Sequence, residues 1–196
     1  MTNFMQTTPA TAKGTSTRER ILAAARAKLI EQGIDQFALR EIADALAIKL
    51  SNVQYYFKTR ELLIYQVIEA EAARDRTLIR SHQDSDKTPT EVLRAIVSDL
   101  TTRWRGEGGV LFSTLGTLAI HNKDFQQLYR AIYADFYTAL EVPLQSLNPK
   151  LSAQELGMRA RLITALIDGA PMQPQIKNKR AFQARVQAEA EAIALA

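Results

Sequence analysis

The chain has 196 residues, of which 46% are hydrophobic and 23% charged, a balance that supports a sizeable core and excludes wholesale disorder. It contains no cysteine, which excludes disulfides, thiolate metal sites and cysteine nucleophiles, and its two histidines leave little material for a zinc centre. The formal net charge of +4 is compatible with a polyanionic partner.

No segment has the pattern of an export signal or a membrane span. The first sixteen residues are polar and threonine-rich and lack the apolar core of a signal peptide. The longest stretch without a charged residue, 108–122, has fifteen residues, several of them polar, and is too short to span a bilayer. We therefore expect a cytoplasmic protein without a membrane partner.

The first third of the chain has the pattern of three short helices. Ser16–Glu19 has the spacing of a capping box, which predicts a flexible tail over 1–16 and a helix that starts next and ends at Gly33. Apolar residues then recur at i, i+3, i+4 and i+7 over 39–46, which predicts a second helix. A short third helix is predicted over about 50–57.

The remaining chain is predicted to be helical as well. Thr59 is expected to cap a long helix that reaches about Arg80, and Thr88–Glu91 combines a cap, a proline and a glutamate at the positions that begin another. That helix ends before Gly106–Gly109, which we expect to be a flexible joint that lets a pocket wall move. Later helices are predicted over 110–121, 124–141 (bent or ended by Pro143), 152–168 and 178 to the end. No strand-like alternation is present, so the predicted fold class is all-α.

Most of the positive charge lies in the first third of the chain. Residues 1–64 hold nine Lys or Arg and six Asp or Glu, whereas the remaining residues hold sixteen and fifteen. A basic region built of three short helices is typical of a nucleic-acid-binding domain. The alternative interpretation is an ordinary solvated charged face.

Residues 38–63 have the pattern of a helix-turn-helix. A three-residue joint follows the first amphipathic helix, and only Val53 and Phe57, four residues apart, clearly point inward from the short second helix. Most of the other side chains of this helix are amides, hydroxyls and phenols, which suit base edges and phosphate oxygens. They are Leu50, Ser51, Asn52, Gln54, Tyr55 and Tyr56.

This pattern resembles the DNA-binding head of the tetracycline-repressor-like (TetR) family of bacterial transcription regulators. The resemblance covers about fifty residues in register and is carried by Leu39–Ala43, Val53, Tyr56–Lys58 and Arg60–Leu63, with Asp168-Gly169 as a later family-like pair. It implies a three-helix helix-turn-helix head over 17–64, and a helical body over 65–196 that binds a small molecule and dimerises. It also implies a repressor that leaves its operator when the ligand binds.

The chain departs from the family pattern at three positions. Ala47 stands in the turn where the family usually has glycine. Lys49 stands where the family commonly has a capping serine, which predicts that the recognition helix begins later, with Ser51 as its cap. Gln54 replaces a tyrosine that often contacts phosphate, and the two tyrosines that follow are expected to compensate.

Carried over position by position, the resemblance implies two sets of DNA contacts. Base contacts are expected from Arg40, Ser51, Asn52 and Gln54, with Leu50 meeting a thymine methyl. Phosphate contacts are expected from Tyr55 or Tyr56, Lys58 and Arg60, and Lys49 belongs to the same DNA-binding set. In the alternative interpretation, Arg40 pairs with Glu41 or Asp44 on the surface, and Tyr56 is a half-buried wedge between helices.

One short recognition helix reads only a few base pairs, so site-specific binding to double-stranded DNA requires a homodimer on a palindromic operator. The family places the dimer contact on the last two helices. Their apolar faces are larger than packing within one subunit requires. The candidate interface residues are Leu156, Ile163, Leu166, Ile167, Phe182, Val186 and Ile193. The alternative is that both faces pack within one subunit.

The middle helices carry large aromatic side chains at helical spacing. Such stripes are typical of a core, but buried tyrosine hydroxyls also suit a mostly apolar pocket with a few polar anchors. We expect an apolar or aromatic effector between the helices that contain Trp104, Phe112, Leu115, Tyr129, Tyr133 and Met172. His121 is a further candidate anchor, and a helix-capping role is its alternative.

The sequence has no HExxH, GxSxG or Walker motif and no paired-carboxylate cluster at useful spacing, so neither an enzyme nor a cofactor is predicted. The remaining alternative is a helix-turn-helix protein without a ligand, acting as a constitutive regulator or an architectural DNA-binding protein. A ligand sensor predicts a void on the order of hundreds of Å³ in the body. The ligand-independent alternative predicts a body filled by side chains.

Overall fold

The structure, a computed structural model, describes residues 12–173 and 176–196, with side chains described from residue 15 onwards. Over these residues the fold consists of α-helices without strands, which confirms the all-α prediction. The helices are α1 (Ala12–Gln32), α2 (Leu39–Ala45), α3 (Leu50–Tyr56), α4 (Arg60–Gln83), α5 (Pro89–Arg105), α6 (Glu107–His121), α7 (Lys123–Leu147), α8 (Ala153–Gly169) and α9 (Lys179–Leu195). In the part of the chain described, none of them is both long enough and apolar enough to cross a bilayer.

Several helices begin at the caps that the sequence predicts. The Oγ1 of Thr88 accepts from the Glu91 amide at 3.4 Å, and the Glu91 carboxylate accepts from the Thr88 amide at 2.8 Å, which completes the capping box of α5. The Oγ of Ser152 accepts from the Glu155 amide at 3.2 Å at the start of α8. Asn178, which the sequence did not mark as a cap, caps α9 in the same way.

Two helices extend beyond their predicted limits. The first helix begins at Ala12 rather than at Ser16, because serine and threonine cost little inside a helix that good helix formers continue. Residues 1–11 of the predicted tail lie outside the described part of the chain. Helix α7 continues through Pro143 to Leu147, because Leu140 and Leu144 on either side of the proline are buried in one stripe.

The predicted joint Gly106–Gly109 is wrong for its last three residues, because α6 begins at Glu107. Only Gly106 lies between helices, and its amide donates to the carbonyl of Arg103 at 3.1 Å. A Cβ at Gly109 would lie 1.9 Å from the carbonyl oxygen of Trp104. Close approach of two backbone segments, rather than flexibility, therefore requires glycine at position 109.

The helices form two compact units. Unit 1 contains the described residues up to Glu71 together with Val110–Tyr129, and unit 2 contains Ala72–Gly109 together with Arg130–Ala196. The predicted boundary at residues 64 and 65 divides the chain differently, because the start of α7 packs with the N-terminal helices. The rings of Tyr65 and Phe125, for example, lie 6.1 Å apart between centroids within unit 1.

The core of unit 1 is built on one face of α1. Ile21, Ala25 and Leu29 recur at spacings of four and are fully buried. Polar contacts join the same helix to α4: Arg26 Nε lies 2.8 Å from the Glu71 carboxylate, and Arg18 Nη2 donates to Gln66 Oε1 at 2.7 Å. These contacts fix the scaffold on which the short helices α2 and α3 are held.

The core of unit 2 is formed where α5, α8 and α9 pack against one another. Arg94 of α5 donates from Nε and Nη2 to the carboxylate of Glu191 in α9, at 2.7 and 2.9 Å. Arg159 of α8 donates to the carbonyl of Ala194 at 3.1 Å. The two C-terminal helices are thus fixed within the subunit by directed polar contacts as well as by apolar packing.

Four of the predicted dimer contacts belong to this internal core of the subunit. Within the subunit the side chains of Leu156, Ile163, Ile167 and Val186 are at most 7% exposed. Leu166, Phe182 and Ile193 are half-buried. The exposed apolar side chains of α8 are instead Met158 and Leu162, which with Leu166 form a stripe at spacings of four residues.

Candidate nucleic-acid interface

The turn between α2 and α3 is closed by backbone hydrogen bonds. The amide of Leu46 donates to the carbonyl of Ile42 at 3.2 Å, and that of Ile48 donates to the carbonyl of Ala43 at 3.0 Å. Between them Ala47 has a φ of 52°, the left-handed conformation that glycine adopts without steric cost. The turn therefore forms with alanine at its left-handed position, at a cost of roughly 1 kcal/mol.

The recognition helix begins at Leu50, so the expectation that it starts later with Ser51 as its cap is wrong. Lys49 has an extended backbone, and its carbonyl accepts from the amide of Asn52 at 2.9 Å. The hydrogen bonds of the turn reverse the chain at Ala47, so the helix starts at Leu50 without a capping side chain. Ser51 lies in the first turn of α3 and is exposed.

Two buried side chains hold α3 to the rest of unit 1. Val53 is fully buried and Phe57 is 1% exposed, which confirms the inward-pointing pair that the sequence predicts. The guanidinium of Arg18 lies 5.4 Å from the centre of the Phe57 ring, within the range of a cation–π contact. The opposite side of α3 is therefore directed outward.

We name the outward side chains of α3 and of its two ends the α3 surface. Its exposed members are Lys49, Ser51, Asn52, Gln54, Tyr55 and Lys58, and its half-buried members are Leu50 and Tyr56. Tyr55 is 70% exposed, and its ring meets that of Tyr56 edge to face at 5.0 Å. A cluster of amide, hydroxyl and phenol groups between two lysines thus lies on one side of α3.

Arg40 of α2 is also exposed. Among the described residues it forms no ion pair with Glu41 or Asp44, so the alternative surface pairing is absent. Its guanidinium is consequently available to an external partner.

Arg60 differs from the other predicted phosphate contacts. Its Nε donates to the carbonyl of Phe37 at 2.7 Å, and its Nη2 donates to the carbonyl of Ile34. These hydrogen bonds tie the first residue of α4 to the loop that precedes α2. Since the donors on two of its three nitrogens are used internally, Arg60 is assigned a structural role. A motif match gave no sign of this role, because it depends on a loop more than twenty residues earlier.

The chain is similar to known transcriptional regulators. No protein-family model matches the chain. An uncharacterised HTH-type transcriptional regulator of Xanthobacter autotrophicus is 26% identical over 156 residues, which cover 77% of this chain and 76% of the relative. A TetR transcription regulator of Haloarcula marismortui has a TM-score of 0.78 at 17% identity, covering 92% of this chain and 97% of that one.

The fold is that of the TetR family. A second structure, a transcriptional regulator of Saccharomonospora viridis in complex with choline, has a TM-score of 0.74 at 15% identity and covers 91% of this chain and 95% of that one. The family resemblance that the helix-turn-helix pattern indicates is therefore confirmed at the level of the fold.

The predicted effector-binding residues are divided between the two units. Trp104 and Tyr133 belong to unit 2, whereas the others that precede residue 130 belong to unit 1: Phe112, Leu115, His121 and Tyr129. Leu115 is fully buried and Phe112 nearly so, as expected of core residues. Met172 is 73% exposed, and His121 is exposed at the end of α6.

An interior crevice does exist in unit 2, and we name it the Asp168 crevice. It is lined by Ile79, Leu100, Trp104, Phe136, Leu140, Thr164, Ile167 and Asp168. Its volume is about 10 Å³, room for a single water molecule. The rings of Trp104 and Phe136 lie 5.7 Å apart and fill the space, so the void of hundreds of Å³ that a sensor predicts is absent at Trp104.

A larger cavity of about 430 Å³ opens between α4 and α7 in unit 2. Its lining is as polar as it is apolar and includes Arg76, Arg80 and Asp135, with an ion pair between Arg76 Nη1 and Asp135 Oδ2 at 3.3 Å. This groove lacks the aromatic walls expected of the predicted pocket.

Two carboxylates of unit 2, buried Asp75 and half-buried Asp168, have very different surroundings. Asp75 is fully buried and accepts from Arg103 Nε at 2.5 Å and from the indole Nε1 of Trp104 at 3.0 Å. Asp168 accepts from the Tyr133 hydroxyl at 2.9 Å through Oδ2, while its buried Oδ1 has no hydrogen-bond partner. Burial raises the pKa of Asp168 to about 6, although the Tyr133 hydrogen bond acts in the opposite direction.

Proposed function

We propose that this protein is a sequence-specific DNA-binding transcriptional regulator whose α3 surface enters the major groove of duplex DNA. The observation that carries the proposal is the contrast between the two sides of α3. Val53 and Phe57 anchor one side, while exposed Asn52, Gln54 and Tyr55 project from the other. A helix held by its apolar side and presenting polar groups outward suits insertion into the groove.

The side chains of the α3 surface divide by chemistry into two groups. Amide and hydroxyl groups read base edges, so we assign Ser51, Asn52 and Gln54 to the bases, together with the guanidinium of Arg40 from α2. Ammonium and phenol groups bind phosphate oxygens, so we assign Lys49, Lys58 and the two tyrosines to the backbone. Leu50 is half-buried at the start of the helix and retains its predicted contact with a thymine methyl. Arg60 is left out because its donors are used within unit 1.

Recognition of a palindromic operator requires two α3 surfaces, and we propose that a homodimer supplies them. The exposed stripe of Met158, Leu162 and Leu166 on α8 supports a second copy as its partner, since a stripe at spacings of four residues packs well against a helix. Half-buried Phe182 and Ile193 of α9 remain candidates at its margin. The half-sites of such an operator are separated by about 34–36 Å or a multiple of that distance.

We further propose that the protein is a repressor whose affinity for DNA falls when a small molecule binds unit 2. Helix α4 supports this coupling, because it contributes Leu63 and Ile64 to the core of unit 1 and Ile79 to the Asp168 crevice. The choline bound by the Saccharomonospora relative supports a small-molecule ligand in this fold. The ligand has to bind one conformation of α4 more tightly than the other to change DNA affinity.

A ligand-independent regulator is the second candidate function. The small volume of the Asp168 crevice favours it, because side chains fill this part of unit 2, as the ligand-independent alternative predicts. The two candidates share the DNA-binding unit and differ only in whether a small molecule changes its affinity.

Selection of bound duplexes from a random pool by the purified protein tests the proposed function. We expect enrichment of one palindrome whose half-sites are separated by about one helical turn of DNA or a multiple of it. A variant carrying Asn52→Ala should enrich a degenerate sequence at the contacted position. Absence of any enriched sequence with the wild-type protein would overturn the proposal.

A further inference from the structure

We propose that the Asp168 crevice binds a small organic cation, held between the free Oδ1 of Asp168 and the rings of Trp104 and Phe136. The proposal names the ligand class of the proposed sensor. Only the expected effect of the ligand on DNA binding rests on the proposed function. Binding of the cation itself is measured without DNA and is independent of it.

Asp75 and Asp168, the two carboxylates inside unit 2, differ in the donors that the fold provides for them. The fold provides Asp75 with a guanidinium and an indole N–H, which compensate its buried charge. It provides Asp168 with one phenol, and Oδ1 is left buried without a donor. A buried carboxylate oxygen without a protein donor is costly, and such groups occur at functional sites whose partner comes from outside.

The lining of the crevice indicates the chemistry of that partner. Apart from Asp168 the lining residues are uncharged, so nothing inside the crevice neutralises the carboxylate. The crevice is formed by α4, α5, α7 and α8, and the other titratable group in contact with Asp168 is the Tyr133 hydroxyl. Trp104 and Phe136 add aromatic rings, which attract a cation through their quadrupoles. A carboxylate flanked by two such rings is a site for an ammonium group.

The volume of the crevice defines what has to move. About 10 Å³ accommodates one water, so an ammonium ligand enters only when the side chains of Trp104 and Phe136 separate from their 5.7 Å contact. Such movement couples binding to a change in conformation, as a sensor requires. It also gives a direct signal, because Trp104 is the only tryptophan of the chain and lines the crevice.

The test is a titration of the full chain, without DNA, by calorimetry and by Trp104 fluorescence. The probes are methylammonium and choline, and the matched neutral probe is 3,3-dimethylbutan-1-ol, in which carbon replaces the nitrogen of choline. At about pH 7.5 we expect at least one of the two cations to bind and to change the fluorescence. Where choline is a cation that binds, its affinity should be about tenfold or more above that of its neutral analogue. At about pH 5 we expect the affinity to fall, since Asp168 then holds a proton.

Two variants complete the test. Asp168→Asn should abolish cation binding, whereas Asp135→Asn, which removes a half-exposed carboxylate of the same unit, should leave it unchanged. Equal binding of the charged and neutral probes, retention of binding in Asp168→Asn, or no cation binding by a cooperatively folded wild-type protein would each overturn the proposal. Cation binding without any change in DNA affinity would uphold the site and contradict the proposed ligand response.

Discussion

The guanidinium of Arg60 donates from Nε to the carbonyl oxygen of Phe37 at 2.7 Å, and its plane also lies near the Phe37 ring, 5.9 Å from the centroid. A second donor, Nη2, reaches the carbonyl of Ile34 in the same loop. The first residue of α4 therefore holds the connection between α1 and α2. This contact fixes the position at which the helix-turn-helix begins.

Replacing Arg60 tests this structural role against the phosphate contact that the motif implies. Because Arg60→Ala leaves two loop carbonyls without their donors, we expect the free energy of unfolding to fall by about 2–3 kcal/mol. Lys58→Ala, two residues earlier and exposed, should change it by less than about 0.5 kcal/mol. Urea denaturation of both variants measures the difference, and equal losses of stability would show that the Arg60 hydrogen bonds contribute nothing.

The left-handed conformation of Ala47 makes a second prediction. Ala47→Gly relieves the steric cost of a φ of 52°, partly offset by the greater freedom of glycine in the unfolded chain. We expect stability to rise by roughly 0.5–1 kcal/mol. The reciprocal change Gly33→Ala, at a φ of 74° with open space around the added Cβ, should lower it by about 1 kcal/mol. A loss of stability in Ala47→Gly would mean that the turn is not strained.

Gly109 and Gly116 lie in the same helix and should respond oppositely to alanine. An alanine at position 109 would place its Cβ 1.9 Å from the carbonyl oxygen of Trp104, which forces the start of α6 to shift. We expect a loss of about 3 kcal/mol or failure to fold. At position 116 the added Cβ meets nothing within 4 Å, so alanine should raise stability by up to about 1 kcal/mol. Thermal unfolding measures the change in Tm of each variant relative to the wild type. Changes of the same sign in the two variants would contradict this account.

The surroundings of Asp168 give stability a specific dependence on pH. Its pKa is about 6 in the folded protein and near the ordinary 3.8 in the unfolded chain. Between these values the folded state retains a proton that the unfolded chain has released, so the free energy of unfolding falls as the pH rises through this range. The loss amounts to as much as about 3 kcal/mol.

Comparison of the wild type with Asp168→Asn isolates this contribution. Denaturation from about pH 4.5 to about pH 7.5 should show a steeper fall in stability for the wild type than for the variant. Parallel pH profiles would mean that the Asp168 carboxyl titrates in the folded state as it does in the unfolded chain.

Local signals predicted much of the architecture. The caps at Thr88 and Ser152 are set by side chains within three residues of the amides they satisfy, so sequence alone locates those helix starts. The inward pair of Val53 and Phe57 follows from helical spacing in the same way. These features share one property, which is that both interacting groups lie in the same short segment.

The features that sequence reasoning missed depend on distant contacts. The apolar residues of α8 are numerous enough to suggest an interface, but only the packing of α5 and α9 decides that Ile163 is core and Leu162 is surface. The role of Arg60 depends on loop carbonyls far along the chain. The Asp168 site was visible only as a family-like pair, because nothing in the sequence reveals that one carboxylate oxygen has no donor.

Binding of the selected duplex and of a random duplex, measured across a range of salt concentrations, tests the central claim most directly. If the α3 surface reads the groove, Asn52→Ala should lose about 1–3 kcal/mol on the selected duplex and almost nothing on random DNA. Lys58→Ala should weaken binding to both duplexes alike. It should also reduce the slope of log affinity against log salt concentration by the contribution of about one phosphate contact. Equal losses for the two variants on both duplexes, or no loss for Asn52→Ala on the selected one, would contradict the assignment of the α3 surface to sequence recognition.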